Sequence, residues 1–153
     1  MAYSYDRLVE WGDCDDFGIV FYPHFYAWFD SGFHRMCLTK GYTQRNIRQI
    51  FGARGTPLVE ADALFKGPAT YGDTITVHSA FSHWGRSSMA IDYWVTLNEE
   101  LIVTGVEKRV WTRPGPNDEI IPAPIPERFR ADLAEYSGTG PARLGPNCGT
   151  GPR

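Results

Sequence analysis

The sequence predicts an α+β fold in which one long helix packs on an antiparallel sheet. Between residues 23 and 40, apolar side chains recur at helical spacing. From residue 57 onward, apolar and polar residues alternate at the twofold spacing of strands. The turns between the later strands are short, so neighbouring strands are expected to pair antiparallel. A strand, one long helix and then a run of such strands is an α+β order.

The first elements are a strand and the long helix. Residues 3–11 are rich in aromatic and β-branched types, which predicts a strand that ends at a glycine loop. The helix is expected to begin at Pro23, because proline suits the first helical position, and to end before Gly41. About 17 helical residues span about 25 Å, enough to cross a whole sheet. The apolar stripe comprises Phe25, Phe29, Phe33, Met36 and Cys37.

The second half is predicted to be mainly strands. A short helix over residues 42–51 precedes strands over residues 57–65, 73–83, 86–98 and 101–113. The turn candidates 84–85 and 98–100 predict two hairpins. Residues 114–126 contain five prolines and are predicted to be a connector before a short helix over residues 127–136. We therefore expect a single domain over residues 1–136 and a flexible Gly/Pro-rich tail over residues 137–153.

Composition excludes several classes of protein. The net charge of -3 lacks the basic excess of a nucleic-acid binder. The three cysteines are widely scattered with no CxxC pair, which argues against a disulfide framework and a zinc site and favours a reducing cytoplasm. No apolar run has the length of a signal peptide or a membrane span. We therefore expect a cytoplasmic protein that binds neither nucleic acid nor membrane.

The chemistry is concentrated in the loop before the long helix. Asp13, Asp15 and Asp16 lie within four residues, flanked by Gly12 and Gly18. The start of a helix carries unpaired N–H groups and partial positive charge, which can polarise a carbonyl group or hold an anion. The loop therefore predicts a site in which a carboxylate faces a polarised ligand.

A calcium site is the competing interpretation of this loop. Counted from Asp13, the spacing of acidic residues and Gly18 begins like an EF-hand. The fifth position is Phe17 and the twelfth is His24, so an oxygen ligand and the bidentate glutamate are both missing. We expect no metal and no cofactor.

The loop and helix together resemble the active-site signature of the 4-hydroxybenzoyl-CoA thioesterase family of the hotdog-fold superfamily. The resemblance rests on Gly12-Asp13-Cys14-Asp15, Gly18-Ile19-Val20, Tyr22-Pro23 and Trp28-Phe29-Asp30, and extends more weakly through Gly55-Thr56-Pro57 to about residue 126. It implies a hotdog fold, in which an antiparallel sheet wraps around one central helix. The chain departs from the signature at Asp16-Phe17, where the family commonly has Pro-Ala, and at His24, which replaces an asparagine. Both changes affect the acyl pocket.

The resemblance implies roles for residues of the loop. Asp15, which by itself would be read as a turn or helix-capping residue, matches the family's catalytic carboxylate, acting as nucleophile or general base. The backbone N–H of Tyr22 matches the donor that polarises the thioester oxygen. Gly18 matches the glycine that accompanies these two residues in the family signature. His24 lies where it could hydrogen-bond to the substrate or to Asp16.

The resemblance also implies substrate-binding residues farther along the chain. Asp30 and Thr56 match the far wall of the acyl pocket, where the ring hydroxyl would be met, although each is also ordinary as a polar helix or turn residue. Arg86 falls where the family binds the phosphates of coenzyme A, and a solvated surface arginine is its plain alternative. Arg109, Arg113 and Arg128 are further phosphate candidates.

The function so implied is hydrolysis of an aromatic acyl-CoA such as 4-hydroxybenzoyl-CoA. A thioesterase for aliphatic acyl-CoA or acyl carrier protein is an alternative, but Asp30, where that branch tends to carry glutamate, favours the aromatic one. A non-catalytic acyl-CoA binding module is the second alternative. The short sheet leaves edges to cover, so we expect a homodimer or homotetramer, with the active site at the subunit boundary.

Overall fold

The computed structural model describes residues 1–143, in which five strands form one antiparallel sheet. The strands are β1 (Tyr3–Leu8), β2 (Leu58–Phe65), β3 (Thr74–Trp84), β4 (Ser88–Leu97) and β5 (Glu100–Val110). Their order across the sheet is β1-β3-β4-β5-β2, and every neighbouring pair is antiparallel. The predicted α+β class is confirmed.

The long helix α1 (Pro23–Thr39) packs its predicted apolar stripe against the sheet. Phe29 is fully buried and stacks on the Tyr93 ring of β4 at 4.8 Å. Gly105 of β5 lets the helix approach, because a Cβ atom there would lie 2.4 Å from Phe29 Cε2. The helix therefore lies on the inner face of the sheet, with the alternating apolar residues of β4 beneath it.

The two predicted hairpins are present. β3 joins β4, and β4 joins β5 through a two-residue turn in which Asn98 and Glu99 both have positive φ (50° and 68°), as a type I′ connection requires. By contrast, β2 pairs with β5 and not with β3, the next strand in the chain. In residues 1–143, β1 and β2 are consequently the edge strands.

The second helix is shorter than the predicted span of residues 42–51. α2 covers Asn46–Phe51 and ends at Gly52, whose φ of 68° is left-handed. Its start is delayed because Thr43 and Asn46 exchange two hydrogen bonds, Thr43 N–H to Asn46 Oδ1 at 2.8 Å and Asn46 N–H to Thr43 Oγ1 at 3.1 Å. Such a side-chain pair competes with helical bonding and fixes the helix start.

The predicted last strand and the proline-rich connector also differ from expectation. The chain leaves the sheet at Trp111, and β6 (Thr112–Pro114) pairs with β7 (Ile120–Pro122), which lies inside the predicted connector. The cause is the burial of Trp111, whose ring packs 4.8 Å from that of Phe129. Phe129 belongs to α3 (Glu127–Leu133), which is followed by a 3-10 turn at Ala134–Tyr136.

The first residues of the predicted tail contact the sheet. Gly138 N–H donates to Phe81 O at 2.9 Å, and Gly140 N–H donates to Asp92 Oδ2 at 3.0 Å on the face opposite α1. Residues 144–153, the rest of the predicted flexible tail, lie outside the described residues. None of the helices within residues 1–143 has the length and apolar character that crossing a membrane would require.

Candidate active site

The acidic loop is shaped by Asp13, the aspartate of the loop that is buried. After the 3-10 turn Trp11–Asp13, Asp13 Oδ2 accepts the Glu10 N–H at 2.8 Å and lies 3.4 Å from Arg7 Nη2. Asp13 O also accepts the Phe21 N–H at 2.8 Å, which ties the two ends of the loop together. Because these contacts occupy the Asp13 carboxylate, its role is structural. The reacting group is then a neighbouring residue of the loop.

Asp15 is half-exposed at the tip of a tight turn within this loop. Its N–H donates to Ile19 O at 2.9 Å, and its carbonyl accepts the Gly18 N–H at 2.8 Å. Gly18 has a φ of 77°, a conformation that favours glycine. Asp15 Oδ1 accepts the Phe17 N–H at 2.9 Å, whereas Oδ2 accepts no hydrogen bond from residues 1–143. One carboxylate oxygen is therefore held and the other remains available.

Tyr22 precedes the first residue of α1 and presents a free donor. The His24 N–H donates to Phe21 O at 3.0 Å, and the Phe25 N–H donates to Tyr22 O at 3.1 Å. The Tyr22 N–H has no acceptor among the described residues, and Pro23 has no N–H to compete with it. A free N–H at a helix start is suited to polarise a carbonyl oxygen.

Two clefts lie beside Asp15. The first has a volume of about 350 Å³ and is lined by Asp15 and Phe17 from the loop and by Phe21 and His24 from the helix start. The second, of about 390 Å³, is lined by Asp15, Trp11 and Gly18, together with Thr70 and Tyr71. These volumes suit a small ligand. Asp15 therefore borders open space on two sides.

The second cleft has a fixed, aromatic wall. Thr70 Oγ1 donates to Gly18 O at 2.6 Å, so the loop is anchored to the segment before β3. The rings of Trp11 and Tyr71 meet edge to face at 5.6 Å and are 77% and 60% exposed. Large apolar rings left exposed beside a carboxylate mark this surface as a binding region.

His24 contacts a different carboxylate from the predicted one. Its Nδ1 lies 3.8 Å from Asp13 Oδ1, and no contact with Asp16 is formed. The ring also lies 6.1 Å from that of Trp28. His24 thus lines the first cleft while belonging to the group that shapes the loop.

Asp30 and Thr56 meet at a second location through Arg109. Arg109 Nη2 contacts Asp30 Oδ1, and Arg109 Nη1 donates to Thr56 O at 3.4 Å. His34 Nε2 lies 3.4 Å from the same Asp30 oxygen. His34 and Arg109 together lower the pKa of Asp30 from 3.8 to about 2, against the opposing effect of partial burial. Asp30 is therefore a carboxylate at neutral pH, with its Oδ2 accepting no hydrogen bond from the described residues.

Arg109 is itself held by buried groups of the sheet. Its Nε and Nη2 both donate to Glu107 Oε2, at 3.1 and 2.9 Å, and Tyr93 Oη donates to that oxygen at 2.8 Å. Burial raises the pKa of Tyr93 well above its usual value, so the phenol stays protonated and remains a donor. Because Arg109 is 4% exposed and already paired, it is not available to coenzyme A phosphates.

Arg86 is exposed in the turn between β3 and β4. Its backbone carbonyl accepts the Ile125 N–H at 2.8 Å, and its side chain forms no ion pair with the described residues. The acidic loop adjoins the opposite end of β3, where the Val9 N–H donates to Asp73 O. A strand of that length spans about 35 Å. Within one protomer, Arg86 and Asp15 therefore lie at opposite ends of the sheet.

The predicted site residues thus form two groups in one protomer. Asp15, Gly18, Tyr22 and His24 surround the helix start, whereas Asp30 and Thr56 meet at Arg109. Tyr22 and Asp30 are eight residues apart on the helix, which corresponds to about 12 Å. The structure brings together the members of each group and separates the groups.

Several contributors to these two locations were not predicted as site residues. Glu107 was missed, and Arg109 was predicted only as a candidate for the coenzyme A phosphates, because charged residues of a strand usually face water. The alternation along β5 could have identified both residues as buried. Glu107 and Arg109 lie an even number of positions from Val103 and Gly105 and therefore share the inner face of the strand. Trp11, Thr70 and Tyr71 reach Asp15 by tertiary contacts that no local pattern encodes.

The sequence pattern of the thioesterase-like superfamily matches residues 9–133. A curated relative, the 4-hydroxybenzoyl-CoA thioesterase of Pseudomonas sp. strain CBS-3, is 32% identical over 85 residues. That match covers 54% of this chain and 59% of the relative, so less than two thirds of the relative's length is spanned.

Two solved structures are similar over most of the chain. The three-dimensional structure of 4-hydroxybenzoyl-CoA thioesterase from the same Pseudomonas strain has a TM-score of 0.78 at 25% identity, covering 86% of this chain and 98% of that one. A gentisyl-coenzyme A thioesterase has a TM-score of 0.72 at 29% identity, covering 86% and 99%. These likenesses confirm the predicted hotdog fold and the predicted family resemblance.

Proposed function

The chain belongs to the thioesterase-like superfamily, and from this membership we propose that it is an acyl-CoA thioesterase acting on an aromatic acyl group such as 4-hydroxybenzoyl. The products are the free acid and coenzyme A. The similar proteins named for 4-hydroxybenzoyl-CoA and gentisyl-CoA support a hydroxylated ring in the acyl group. Such thioesters occur where coenzyme A metabolism takes place, and we propose the cytoplasm as the location.

One observation carries the proposal. The Asp15 carboxylate, which has one oxygen without a hydrogen bond, and the unpaired N–H of Tyr22 at the start of the helix border the same loop. Asp15 Oδ2 and the Tyr22 N–H both lack partners within residues 1–143. The Tyr22 N–H donates to the thioester oxygen and stabilises the negative charge that develops there. Asp15 then either attacks the carbonyl carbon, forming a mixed anhydride that water hydrolyses, or removes a proton from an attacking water. In both routes the C–S bond breaks and the thiolate of coenzyme A leaves.

The second group of residues supports recognition of the ring hydroxyl. Asp30 is ionised and has a free oxygen, so it can accept a hydrogen bond from a phenol. Thr56 is 3% exposed, and its Oγ1 has no hydrogen-bond partner among the described residues. A ring that lacks the hydroxyl leaves the Asp30 oxygen without a partner once water is excluded, which disfavours that ring.

Within one protomer, the two groups are farther apart than the carbonyl carbon and the ring hydroxyl of one hydroxybenzoyl group. In a hydroxybenzoyl group, the carbonyl carbon and the para oxygen are about 6 Å apart. This distance is the width of the ring, about two bond lengths, plus one bond of about 1.4 to 1.5 Å at each end. Tyr22 and Asp30 of one protomer are separated by about 12 Å along α1. We therefore propose that Asp30 of the partner subunit meets the ring bound at Asp15.

β2 is an edge strand within residues 1–143, and pairing of this edge with its copy would place Asp30 of one protomer near Asp15 of the other. Leu58, at its start, pairs with Arg109, and Phe65, at its end, lies 6.3 Å from the Tyr22 ring. If two β2 strands pair antiparallel, the Leu58 end of each protomer meets the Phe65 end of its partner. The Asp30 group of one copy then lies beside the Asp15 group of the other. A homodimer is the smallest assembly with this geometry, and pairing of dimers gives a homotetramer.

Arg86 remains the candidate for the phosphates of coenzyme A. Its distance from Asp15 within one protomer means that this role also requires a second copy. Arginine suits phosphate because its planar donors bind bidentately. Thiol-release kinetics of Arg86→Gln with coenzyme A thioesters and with the corresponding pantetheine thioesters, which lack the nucleotide, test this role.

A panel of thioesters tests the proposed function. We expect kcat/KM for 4-hydroxybenzoyl-CoA to exceed that for benzoyl-CoA at least about tenfold and those for straight-chain acyl-CoAs by more. Released thiol is the readout, and the Asp15→Asn protein prepared in parallel controls for contaminating hydrolases. Preference for the aliphatic members supports the aliphatic acyl-CoA or acyl carrier protein alternative. Tight binding without thiol release supports the non-catalytic alternative.

A further inference from the structure

Arg109 occupies an unusual position for an arginine. It is 4% exposed and lies on the inner face of β5, beneath α1, with its guanidinium carbon 4.3 Å from the centre of the Phe33 ring. Within residues 1–143, the charged side chains that are buried are Asp13, Glu107 and Arg109. The pair of Glu107 and Arg109 therefore stands alone among the apolar side chains between helix and sheet.

Stability alone does not explain this buried ion pair. Removing two charges from water costs several kcal/mol per ion, and apolar residues of similar volume in place of a buried ion pair are often as stable or more so. The protein nevertheless surrounds the pair with further polar contacts, because Tyr93 donates to Glu107 and Arg109 donates to Thr56 O. A buried polar chain that is fully connected fixes the orientation of its members.

The series of polar contacts that begins at Tyr93 ends at a side chain that is not buried. Tyr93, Glu107 and Arg109 are buried and lead to Asp30, whose side chain is 51% exposed. Arg109 and His34 both contact Oδ1 of Asp30. Both contacts are made to Oδ1, so Oδ2 is left without a hydrogen bond from the described residues.

We propose that Arg109, held by Glu107 and Tyr93, is a positioning residue that aims the free oxygen of Asp30 at the ring substituent of the acyl group. The inference rests on the proposed function, since it concerns the substrate that Asp30 would meet. Arg109 acts through Asp30 and touches no substrate atom. Its effect should therefore be confined to substrates that carry a hydrogen-bond donor on the ring.

The test uses the double variant Glu107→Leu/Arg109→Met, which removes both charges together and leaves neither unpaired. We expect it to fold, because replacing a whole buried pair avoids the cost of an orphaned charge. KM for 4-hydroxybenzoyl-CoA should rise at least about tenfold with kcat within about twofold, because ground-state recognition is lost. Kinetics with benzoyl-CoA should match those of the wild type. Arg45→Gln, at an exposed arginine before α2, is the matched control.

The change in KM confined to hydroxylated rings is the readout that a purely structural role would not move, and a carbon-13 NMR titration of the Asp30 carboxyl tests its contact with Arg109. The charged or titratable groups around it are His34 on α1 and, on the sheet, Arg109, Glu107 and Tyr93. The wild-type pKa is about 2, and loss of the Arg109 guanidinium should raise it toward 3.8. The control variant should titrate like the wild type.

The outcomes separate this inference from the proposed function. Wild-type-like titration and an unchanged hydroxyl preference in a folded double variant would overturn the role of Arg109. If the double variant does not fold, the single variant Arg109→Lys, which keeps the charge but not the planar fork, replaces it, and an unchanged hydroxyl preference in that variant would overturn the role of Arg109. A wild type that hydrolyses aromatic thioesters without preferring the hydroxyl overturns the positioning inference and the proposed recognition of the ring hydroxyl, but not the thioesterase activity. Failure to release thiol from any thioester overturns the proposed function.

Discussion

Replacing Asp15 by asparagine is expected to lower kcat for 4-hydroxybenzoyl-CoA at least about 1000-fold, equivalent to about 4 kcal/mol of transition-state stabilisation. Asparagine has the same shape, and its Oδ1 can still accept the Phe17 N–H that orients Asp15. It is neither a nucleophile toward a thioester nor a base toward water. The loss should therefore appear in kcat, while the affinity for intact thioester and the melting temperature remain close to the wild-type values.

Asp16→Asn is the matched control for the loss of Asp15. It removes one carboxylate from the same loop at an exposed position, so it reproduces the change in charge but not the proposed chemistry. We expect at most a few-fold decrease in kcat. Steady-state thiol release by both variants and the wild type makes the comparison. An Asp15→Asn protein with more than a tenth of the wild-type kcat, or an equal loss in both variants, would remove Asp15 from the mechanism.

Blocking the edge of β2 is expected to produce a monomer that hydrolyses 4-hydroxybenzoyl-CoA poorly. Val59 is 61% exposed on this edge strand, and Ala61 is also exposed. In a twofold strand pair, Val59→Lys/Ala61→Lys places like charges from both copies against each other. Because each site would then lack the partner's Asp30 group, kcat/KM for 4-hydroxybenzoyl-CoA should fall at least about 100-fold.

Sedimentation velocity at micromolar concentration measures the assembly, and thiol release under the same conditions measures activity. Ile50→Lys, which puts a lysine at a 45% exposed position on α2, should leave both unchanged. A wild-type protein that sediments as a stable monomer would contradict the proposed dimer. So would a dissociated variant that keeps its activity.

The elements with local patterns could be predicted from the sequence. β4 carries an apolar residue at every second position, and α1 combines a starting proline with a stripe of phenylalanines. Each pattern reports burial of one face, which a short window of sequence contains. The proximity of Asp15 to the helix start follows similarly, because seven residues separate Asp15 from Tyr22.

The remaining features depend on contacts between distant residues. The pairing of β2 with β5 joins segments about 40 residues apart, and no residue of β2 encodes that choice. β7 was hidden by the prolines around it, although Ile120–Pro122 pairs with β6. The link between Asp30 and Arg109 spans 79 residues. The sequence could therefore indicate Asp15, Tyr22, Asp30 and Thr56 as candidates, but neither the residues that surround them in the fold nor their division into two groups on the protomer.

The proposal that two protomers share each active site is tested most directly by co-expressing Asp15→Asn with Asp30→Leu and purifying the mixed assemblies. With the substrate well below KM, where loss of Asp30 lowers the rate, each variant alone should hydrolyse 4-hydroxybenzoyl-CoA poorly. If each site takes Asp15 from one copy and Asp30 from the other, random pairing leaves about a quarter of the sites without a substitution. We predict thiol release at about a quarter of the wild-type rate. A rate no higher than the mean of the two separate variants would contradict the shared site.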